Sequence, residues 1–164
     1  DESSADFWNL RDISSSYQQS NNFFIKSQDL TYGEFDIDFF LQLLDAAELR
    51  HGETFCDIGS GSGRLVFAAA LSCHDVLKKS IGIEIIPEYR EVSMKVLPRI
   101  EEMSASCGMK LCPVLFIEGD VHSDAHLLKD VDVCFCYSTA FATIGGPYLA
   151  QLSYTLGTLL GVLV

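Results

Sequence analysis

The chain has 164 residues, a formal net charge of −12 and 48% hydrophobic residues. This length fits one domain with a sizeable core, and the apolar content excludes a disordered chain. The acidic balance argues against a general nucleic-acid binder, because such proteins need a basic face to replace phosphate counterions. Six cysteines without a C-x-x-C pair indicate a reduced intracellular protein rather than a disulfide scaffold.

The two ends of the sequence show no targeting or membrane signal. The start, Asp1-Glu2-Ser3-Ser4, is too acidic and polar for a secretory signal peptide. The most apolar end segment, residues 156–164, is too short to span a bilayer. We therefore expect an intracellular protein, cytoplasmic or nuclear, without a membrane partner.

The predicted elements begin with a short helix within residues 6–22, where apolar side chains fall at roughly helical spacing. A turn, Tyr32-Gly33-Glu34, follows it. We assign residues 1–35 to an N-terminal helical segment that packs on the main domain.

The next predicted helix covers residues 36–49, because its apolar side chains recur at the spacing of one helix face. Asp36 or Asp38 favours the positive N-terminal end of this helix, and Gly52 is its predicted C-cap. The main domain is predicted to extend over residues 36–164.

A buried strand, a glycine turn and another helix form the centre of the predicted domain. The strand covers residues 54–58, and the helix runs over residues 64–74. Gly59, Gly61 and Gly63 form the turn between them, and residues without a Cβ let the backbone pass close to a ligand. The free N–H groups and positive dipole end of the helix point at this turn. The pattern predicts a nucleotide-binding site.

Strands and helices alternate in the rest of the chain. The strands are nearly continuous in apolar residues, which indicates a mostly parallel sheet covered on both faces, a Rossmann-like, doubly wound α/β fold. The predicted strands are residues 80–85, 113–117, 131–137 and 158–164, and the predicted helices are 87–106, kinked at Pro98, a short irregular 123–128, and 148–156.

Polar side chains lie at or just past the ends of the first four strands. Right-handed crossovers place the C-terminal ends of parallel strands at the same edge of a sheet. Asp57, Glu84, Asp120 and Ser138 are therefore expected to converge on one crevice, although they are scattered over the sequence.

The spacing of the glycines distinguishes between nucleotide ligands. A dinucleotide fingerprint, G-x-G-x-x-G, needs a glycine at residue 64 or 66, where Arg64 and Val66 stand, so a dehydrogenase is disfavoured. No Gly-Lys-Ser/Thr of a Walker-type loop occurs at the helix start. Asp57 would repel a pyrophosphate, and it suits a cationic ligand without phosphate, such as S-adenosylmethionine (SAM).

Two further acids complete the predicted SAM pocket. Glu84 is placed to accept hydrogen bonds from both ribose hydroxyls, and Asp120 to accept one from the adenine amino group. Together with Asp57, these carboxylates suit adenosine with a cationic tail better than they suit a nicotinamide dinucleotide.

The motifs D-I-G-S-G-S-G, G-I-E, E-G-D and V-D-V-C-F-C-Y resemble the successive motifs of class I SAM-dependent methyltransferases, over residues 54–141. With T-Y-G-E before the first long helix and A-F after the fourth strand, the chain is most similar to the disruptor-of-telomeric-silencing (DOT) type of histone-lysine methyltransferase. The resemblance implies that the Tyr-Gly-Glu turn folds over SAM. The predicted SAM-binding residues are then Tyr32, Gly33, Glu34, Asp57, Gly59, Gly61, Gly63, Glu84 and Asp120.

The substrate side departs from that family, because Tyr137-Ser138-Thr139 stand where the family has Asn-Asn-Phe. Methyl transfer to an amine needs orientation and exclusion of water rather than a strong acid–base pair. We predict that Ser138 orients the amine and that Tyr137 walls the cation. Family resemblance implies a protein lysine as the methyl acceptor, with a histone as a possible partner. The alternatives are a non-catalytic SAM-fold binding or scaffold protein and a methyltransferase acting on a small molecule.

The end of the sequence also departs from the family fold. The chain stops in a fifth strand, whereas the class I fold continues to a sixth and an antiparallel seventh. An open sheet edge favours pairing with another chain, so we expect either that the C-terminus continues in the full protein or that a partner or a second copy covers the edge.

Two pairs of side chains are not assigned any chemistry. His122 and His126 have a spacing that can hold a metal on a helix, but the segment is short and lacks an evident third ligand. We interpret it as a surface loop and predict no metal site. Cys134 and Cys136 are interpreted as buried residues on one side of a strand.

Overall fold

The structure is a computed structural model, and it describes residues 34–137, 152–154 and 156–157. The described residues near the C-terminus are helical. The helix predicted within residues 6–22 and the strand predicted at residues 158–164 lie outside the described residues, and so does the predicted open edge.

The chain divides into two compact units. One is Phe35–Cys136, and the other combines Asp1–Glu34 with Tyr137–Val164. The first unit contains the glycine turn and is described below. The domain boundary predicted after residue 35 stays a prediction, because most of the second unit lies outside the described residues.

In the described part of the chain, parallel strands pair in the order β3-β2-β1-β4. The register places Asp57 on β1 beside Gly82 on β2 and Phe135 on β4. This arrangement confirms the predicted Rossmann-like α/β fold. The strands are β1, Thr54–Ile58; β2, Lys79–Glu84; β3, Val114–Glu118; and β4, Val133–Cys136.

Three α-helices of the described unit pack on one face of the sheet. They are α1, Ile37–Ala46; α2, Arg64–Ser72; and α3, Pro87–Ser106, which continues through Pro98, and a short 3₁₀-helix follows at Ala125–Leu128. The ring of Phe40 on α1 lies 5.8 Å from that of Phe55, and Phe67 on α2 lies 5.3 Å from Phe116. Side chains of α3 pack against the same Phe67–Phe116 cluster.

Within the described sheet, the inner strands β1 and β2 are more deeply buried than the outer strands β3 and β4. Nearly every residue of β1 and β2 is buried, so both faces of these strands are covered, as predicted. Leu115 on β3 and Cys134 on β4 are exposed. The prediction that Cys134 is buried was therefore wrong, and Cys136 is half-buried. An apolar run does not by itself distinguish an inner strand from an outer one.

The first helix confirms one predicted cap and corrects another. Asp36 is the N-cap of α1, and its carboxylate accepts a hydrogen bond from the Phe39 amide at 2.7 Å. The helix ends at Ala46, before Gly52. Gly52 has a φ of 90° in a later turn and donates its amide to the carbonyl of Val76 at 2.8 Å. Gly52 therefore belongs to this later turn, where its amide bonds to a residue distant in sequence. The prediction that Gly52 is the C-cap of α1 was wrong.

Candidate functional site

The glycine turn between β1 and α2 is hydrogen-bonded to the end of β2. Gly59, Gly61 and Gly63 have φ angles of 76°, 53° and 84°. The amides of Gly59 and Ser60 both donate to the carbonyl of Ile83, at 2.8 and 3.1 Å. The amide of Gly63, the N-cap of α2, donates to the carbonyl of Ser60 at 2.9 Å.

Two glycines allow this turn to lie close to the sheet. A Cβ on Gly63 would lie 2.6 Å from Cζ of Phe116, and a Cβ on Gly82 would lie 2.6 Å from Oγ of Ser60. Phe116 has little room to yield, because its ring packs edge-on against Phe67. The close approach therefore requires the absence of a side chain at both positions.

Glu84 joins the glycine turn to the start of α3. Its side chain is 6% exposed; Oε2 accepts the Gly61 amide at 2.7 Å, and Oε1 accepts the Ile86 amide at 2.9 Å. Ile86 is the N-cap of α3, so the carboxylate lies at the positive end of that helix. Burial raises the pKa of Glu84, and these hydrogen bonds oppose the rise. A carboxylate has about four lone-pair sites, so Glu84 can still accept a ligand hydroxyl.

Asp57 is the second buried acid at this edge. It is 3% exposed, and burial together with the charge of Glu84 raises its pKa to about 7. Its register partner Gly82 lies two residues before Glu84 on the neighbouring strand. Two coupled, desolvated carboxylates favour a positively charged ligand, because a cation offsets the cost of ionising both.

Asp120 lies just past the end of β3 and has different partners. Its Oδ1 accepts the His122 amide at 2.9 Å, and its carbonyl accepts the Asp124 amide at 2.7 Å. The amide of Gly119 donates to the carbonyl of Glu84 at 3.0 Å, so this turn is joined to the end of β2. The structure therefore brings Asp57, Glu84 and Asp120 to one sheet edge, and Asp120 also forms its own turn.

Four backbone amides of the glycine turn, those of Gly59, Ser60, Gly61 and Gly63, are bonded within the protein. Those of Gly59 and Ser60 donate to a carbonyl of β2, and that of Gly61 donates to Glu84. A phosphate-binding loop instead directs such amides at its ligand. With two carboxylates beside it, this turn fits a ligand that has no phosphate.

Several predicted site residues cannot be related to this edge. Tyr32, Gly33 and Ser138 lie outside the described residues. Glu34 and Tyr137 are described and exposed, but both belong to the other unit of the chain. The covering role of the Tyr32-Gly33-Glu34 turn and the catalytic roles of Tyr137 and Ser138 stay predictions.

Two residues at the edge were not predicted. Ile85, directly after Glu84, keeps 37% of its apolar side chain exposed, where it can contact a planar base. Ser93 on α3 is fully buried, and its Oγ lies 3.1 Å from the carbonyl oxygen of Gly61. An apolar residue directly after a strand-end acid is a signal that could have identified Ile85. Ser93 has no such signal, because its contact joins positions distant in sequence.

The described residues contain no group of three or more His, Cys, Asp or Glu side chains that could hold a metal ion. His126 lies in the 3₁₀-helix and His122 precedes it, so the two do not share an α-helix. Over the same part of the chain, no helix is both long and apolar enough to cross a bilayer.

The sheet order, the glycine turn and the strand-end acids define a class I SAM-dependent methyltransferase domain. Residues 13–144 match the family model for histone methylation protein DOT1. The chain belongs to this family. The match confirms the predicted resemblance to this family of class I methyltransferases.

A curated relative provides a second comparison. The chain is 32% identical over 88 residues to a histone-lysine N-methyltransferase, H3 lysine-79 specific, from Eremothecium gossypii. The alignment covers 54% of this chain and 15% of that protein. The similarity therefore concerns a small part of a much longer relative.

Solved structures show the same fold. The rRNA methyltransferase aviRa from Streptomyces viridochromogenes is 18% identical, with a TM-score of 0.59 over 83% of this chain and 78% of that one. The protein YjhP from E. coli is 20% identical, with a TM-score of 0.52 over 91% of this chain and 50% of that one. At these identities the likeness concerns the fold alone.

The residues present at the edge fit SAM. Glu84 offers carboxylate lone pairs for hydroxyl donors, Asp57 and Glu84 favour a positive charge, and Ile85 exposes an apolar surface beside them. The amides of Gly59, Ser60, Gly61 and Gly63 donate to acceptors within the protein and are not directed at an anion. This set of partners matches a ribose, a cationic tail and a base without phosphate.

Proposed function

We propose that this protein binds SAM at the carboxyl edge of β1 and β2 and transfers its methyl group to a lysine of a histone. The observation that carries the proposal is the glycine turn whose amides are bonded to Ile83 and Glu84 instead of facing a phosphate. The family match over residues 13–144 supports methyl transfer as the chemistry.

Each residue of the edge has a proposed role toward SAM. Glu84 accepts the ribose hydroxyls through the lone pairs that Gly61 and Ile86 leave unused. Ile85 packs on the adenine, and Asp57 attracts the cationic tail. Asp120 accepts from the adenine amino group through the part of its carboxylate that does not bind His122.

The remaining predicted residues complete the site in this proposal. The Tyr32-Gly33-Glu34 turn covers SAM, Ser138 orients the amine, and Tyr137 walls the cation. Bound SAM supplies a methyl group on a sulfonium, so that a carbon–nitrogen bond forms as the carbon–sulfur bond breaks and the amine gives up a proton to solvent. The protein contributes orientation and exclusion of water.

The proposed acceptor comes from the relatives. The Eremothecium relative is named as specific for lysine 79 of histone H3, and the family is described as one of histone methylation proteins. A formal charge of −12 also suits a basic partner such as a histone. A histone acceptor would place the protein in the nucleus.

The donor site is tested by calorimetric titration with SAM, S-adenosylhomocysteine (SAH) and NAD. We expect heat with both SAM compounds and none with NAD. Absence of heat with SAM and with SAH would refute the donor proposal.

The acceptor is tested by incubating the protein with nucleosomes and methyl-labelled SAM. We expect label on a histone lysine, located by mass spectrometry, and its loss in Glu84→Ala. Label that appears only in small molecules of a cell extract would support the small-molecule alternative and contradict the histone proposal.

A second candidate is a non-catalytic SAM-binding scaffold. The observation that favours it is the Tyr137-Ser138-Thr139 sequence, where the family has Asn-Asn-Phe beside the methyl-transfer path. Tight SAM binding without a labelled product from nucleosomes or extract would favour this candidate. Restored transfer after Tyr137→Asn and Ser138→Asn together would identify these two positions as the cause.

A further inference from the structure

Ser93 links helix α3 to the glycine turn. Its side chain is fully buried, and Oγ lies 3.1 Å from the carbonyl oxygen of Gly61 and 3.1 Å from that of Tyr89, one helical turn earlier. A hydroxyl has one proton to donate, so these two carbonyls share it. The bond to Tyr89 alone would satisfy the hydroxyl within its helix. The contact with Gly61 therefore serves the turn rather than the helix.

Gly61 is held through both of its backbone polar groups. Its amide donates to Oε2 of Glu84 at 2.7 Å, and its carbonyl accepts from Ser93. The other oxygen of Glu84 accepts the amide of Ile86, where α3 begins. The glycine turn, the end of β2 and the first turns of α3 thus form a closed ring of hydrogen bonds.

This ring determines how the peptide bond after Gly61 is oriented. Gly61 has a φ of 53°, and glycine can adopt alternative backbone angles at little steric cost. Gly61 is buried, so its carbonyl would lose its hydrogen-bond partner without the Ser93 hydroxyl. Rotation of that peptide would then relieve the unpaired carbonyl and change the surface of the turn.

We propose that Ser93 is a positioning residue for the methyl donor: by bonding the Gly61 carbonyl, it keeps the glycine turn and the Glu84 carboxylate in the arrangement that binds SAM. Its effect on ligand affinity rests on the proposed function. Its effect on the turn does not require a ligand.

The test compares Ser93→Ala with Ser80→Ala. Ser80 is also fully buried, and its hydroxyl also donates to a backbone carbonyl, that of Val66 at 2.9 Å, so its removal deletes the same kind of bond. Ser80 lies at the opposite end of β2 from Glu84. Similar falls in melting temperature are expected for both variants, and effects on the turn for Ser93→Ala alone.

The first measurement is amide hydrogen exchange in the ligand-free protein. We expect the Gly61 amide to exchange about tenfold faster in Ser93→Ala than in the parent, with no change in Ser80→Ala. Unchanged exchange at Gly61 in Ser93→Ala would overturn the proposal. Ser93→Cys keeps the shape of the side chain with a somewhat larger atom and weakens the donor, so it should show a smaller increase and provides a test if the alanine variant does not fold.

The second measurement is SAH affinity by calorimetry. We expect the Kd to rise about fivefold to tenfold in Ser93→Ala and less than about twofold in Ser80→Ala, in line with the loss of one hydrogen bond. Equal changes in both variants would mean that Ser93 is merely structural. If the parent binds neither SAM nor SAH, the proposed function fails, and the exchange measurement still decides the role of Ser93 in the turn.

Discussion

Glu84, the last residue of β2, and Asp120, two residues past the end of β3, both lie at the carboxyl edge of the sheet but have different partners. Glu84 is buried and accepts the amide of Gly61, in a distant segment, as well as that of Ile86, two residues further along the chain. Asp120 is half-buried and accepts an amide of its own turn, that of His122. A strand-end position therefore brings an acid to the edge, but the segments folded around it decide whether it organises a binding site or a turn.

Asp57 extends this comparison to the third carboxylate of the edge. Like Glu84 it is buried, and its raised pKa shows that its charge is poorly compensated. The β1–β2 side of the edge thus combines a tightly hydrogen-bonded turn with two buried carboxylates whose ionisation is unfavourable. On the β3 side, Asp120 accepts a hydrogen bond within its own turn. Such a concentration of unfavourable charge is typical of a site that binds a cation.

The largest expected effect tests how tightly the glycine turn fits. Gly63 and Gly108 both have positive φ, but a Cβ on Gly63 would lie 2.6 Å from Phe116, and one on Gly108 would meet nothing within 4 Å. We expect Gly63→Ala to lower the free energy of unfolding by about 3 kcal/mol, from backbone strain plus overpacking. Gly108→Ala should cost only the strain, about 1–2 kcal/mol. Urea denaturation measures both, and equal losses would contradict the close packing.

The next effect tests the two acids directly. Glu84→Ala should weaken SAH binding about 100-fold, because ribose hydroxyls would lose a charged acceptor and the turn would lose a bond. Asp120→Ala should weaken binding less than about tenfold. Glu118→Ala is the matched control, since Glu118 is the exposed register partner of Glu84. Retained tight SAH binding in Glu84→Ala would contradict the proposed difference between Glu84 and Asp120.

The third effect concerns the pH dependence of stability. The pKa of Asp57 is raised from 3.8 to about 7 in the folded protein, so the folded state binds a proton that the unfolded state releases between these values. This contribution to stability is fully present below pH 3.8 and is lost as the pH rises to about 7. It changes by at most about 1.4 kcal/mol per pH unit.

Asp57→Asn should remove that slope. From pH 5 to pH 7, the free energy of unfolding of Asp57→Asn should therefore rise relative to that of the parent, as measured by urea denaturation. Parallel pH profiles for the two proteins would show that Asp57 ionises normally, as an exposed acid does.

The smallest effect tests the turn at Asp120. Asp120→Asn keeps an oxygen that can accept the His122 amide and should change the free energy of unfolding by less than about 0.5 kcal/mol. Asp120→Ala removes that acceptor and should cost about 1 kcal/mol. Thermal denaturation of the pair measures the difference. A larger loss in the asparagine variant would indicate that the charge, rather than the hydrogen bond, stabilises the turn.

Local pattern was sufficient for most of the described fold. The strand predicted at residues 54–58 matches β1, and the helix predicted from residue 87 to 106 matches α3. Asp36 was recognised as a cap because capping depends on residues close in sequence. The prediction that Gly52 caps α1 failed because its amide bonds to Val76, which is distant in sequence. The prediction that Cys134 is buried failed because the exposure of β4 depends on its place in the sheet.

The sequence by itself determined where the site lies. Alternating strands and helices with right-handed crossovers bring strand-end acids to one edge, and the glycine spacing disfavours a pyrophosphate ligand. Only the tertiary structure decided the partners within that edge. It bonded Glu84 to the distant Gly61, left Asp120 to its own turn, and brought Ser93 against Gly61. The physical reason is that the positions of strands and helices follow from local pattern and the handedness of their crossovers from a general rule, whereas hydrogen-bond partners depend on which distant segments the packed core brings within bonding distance.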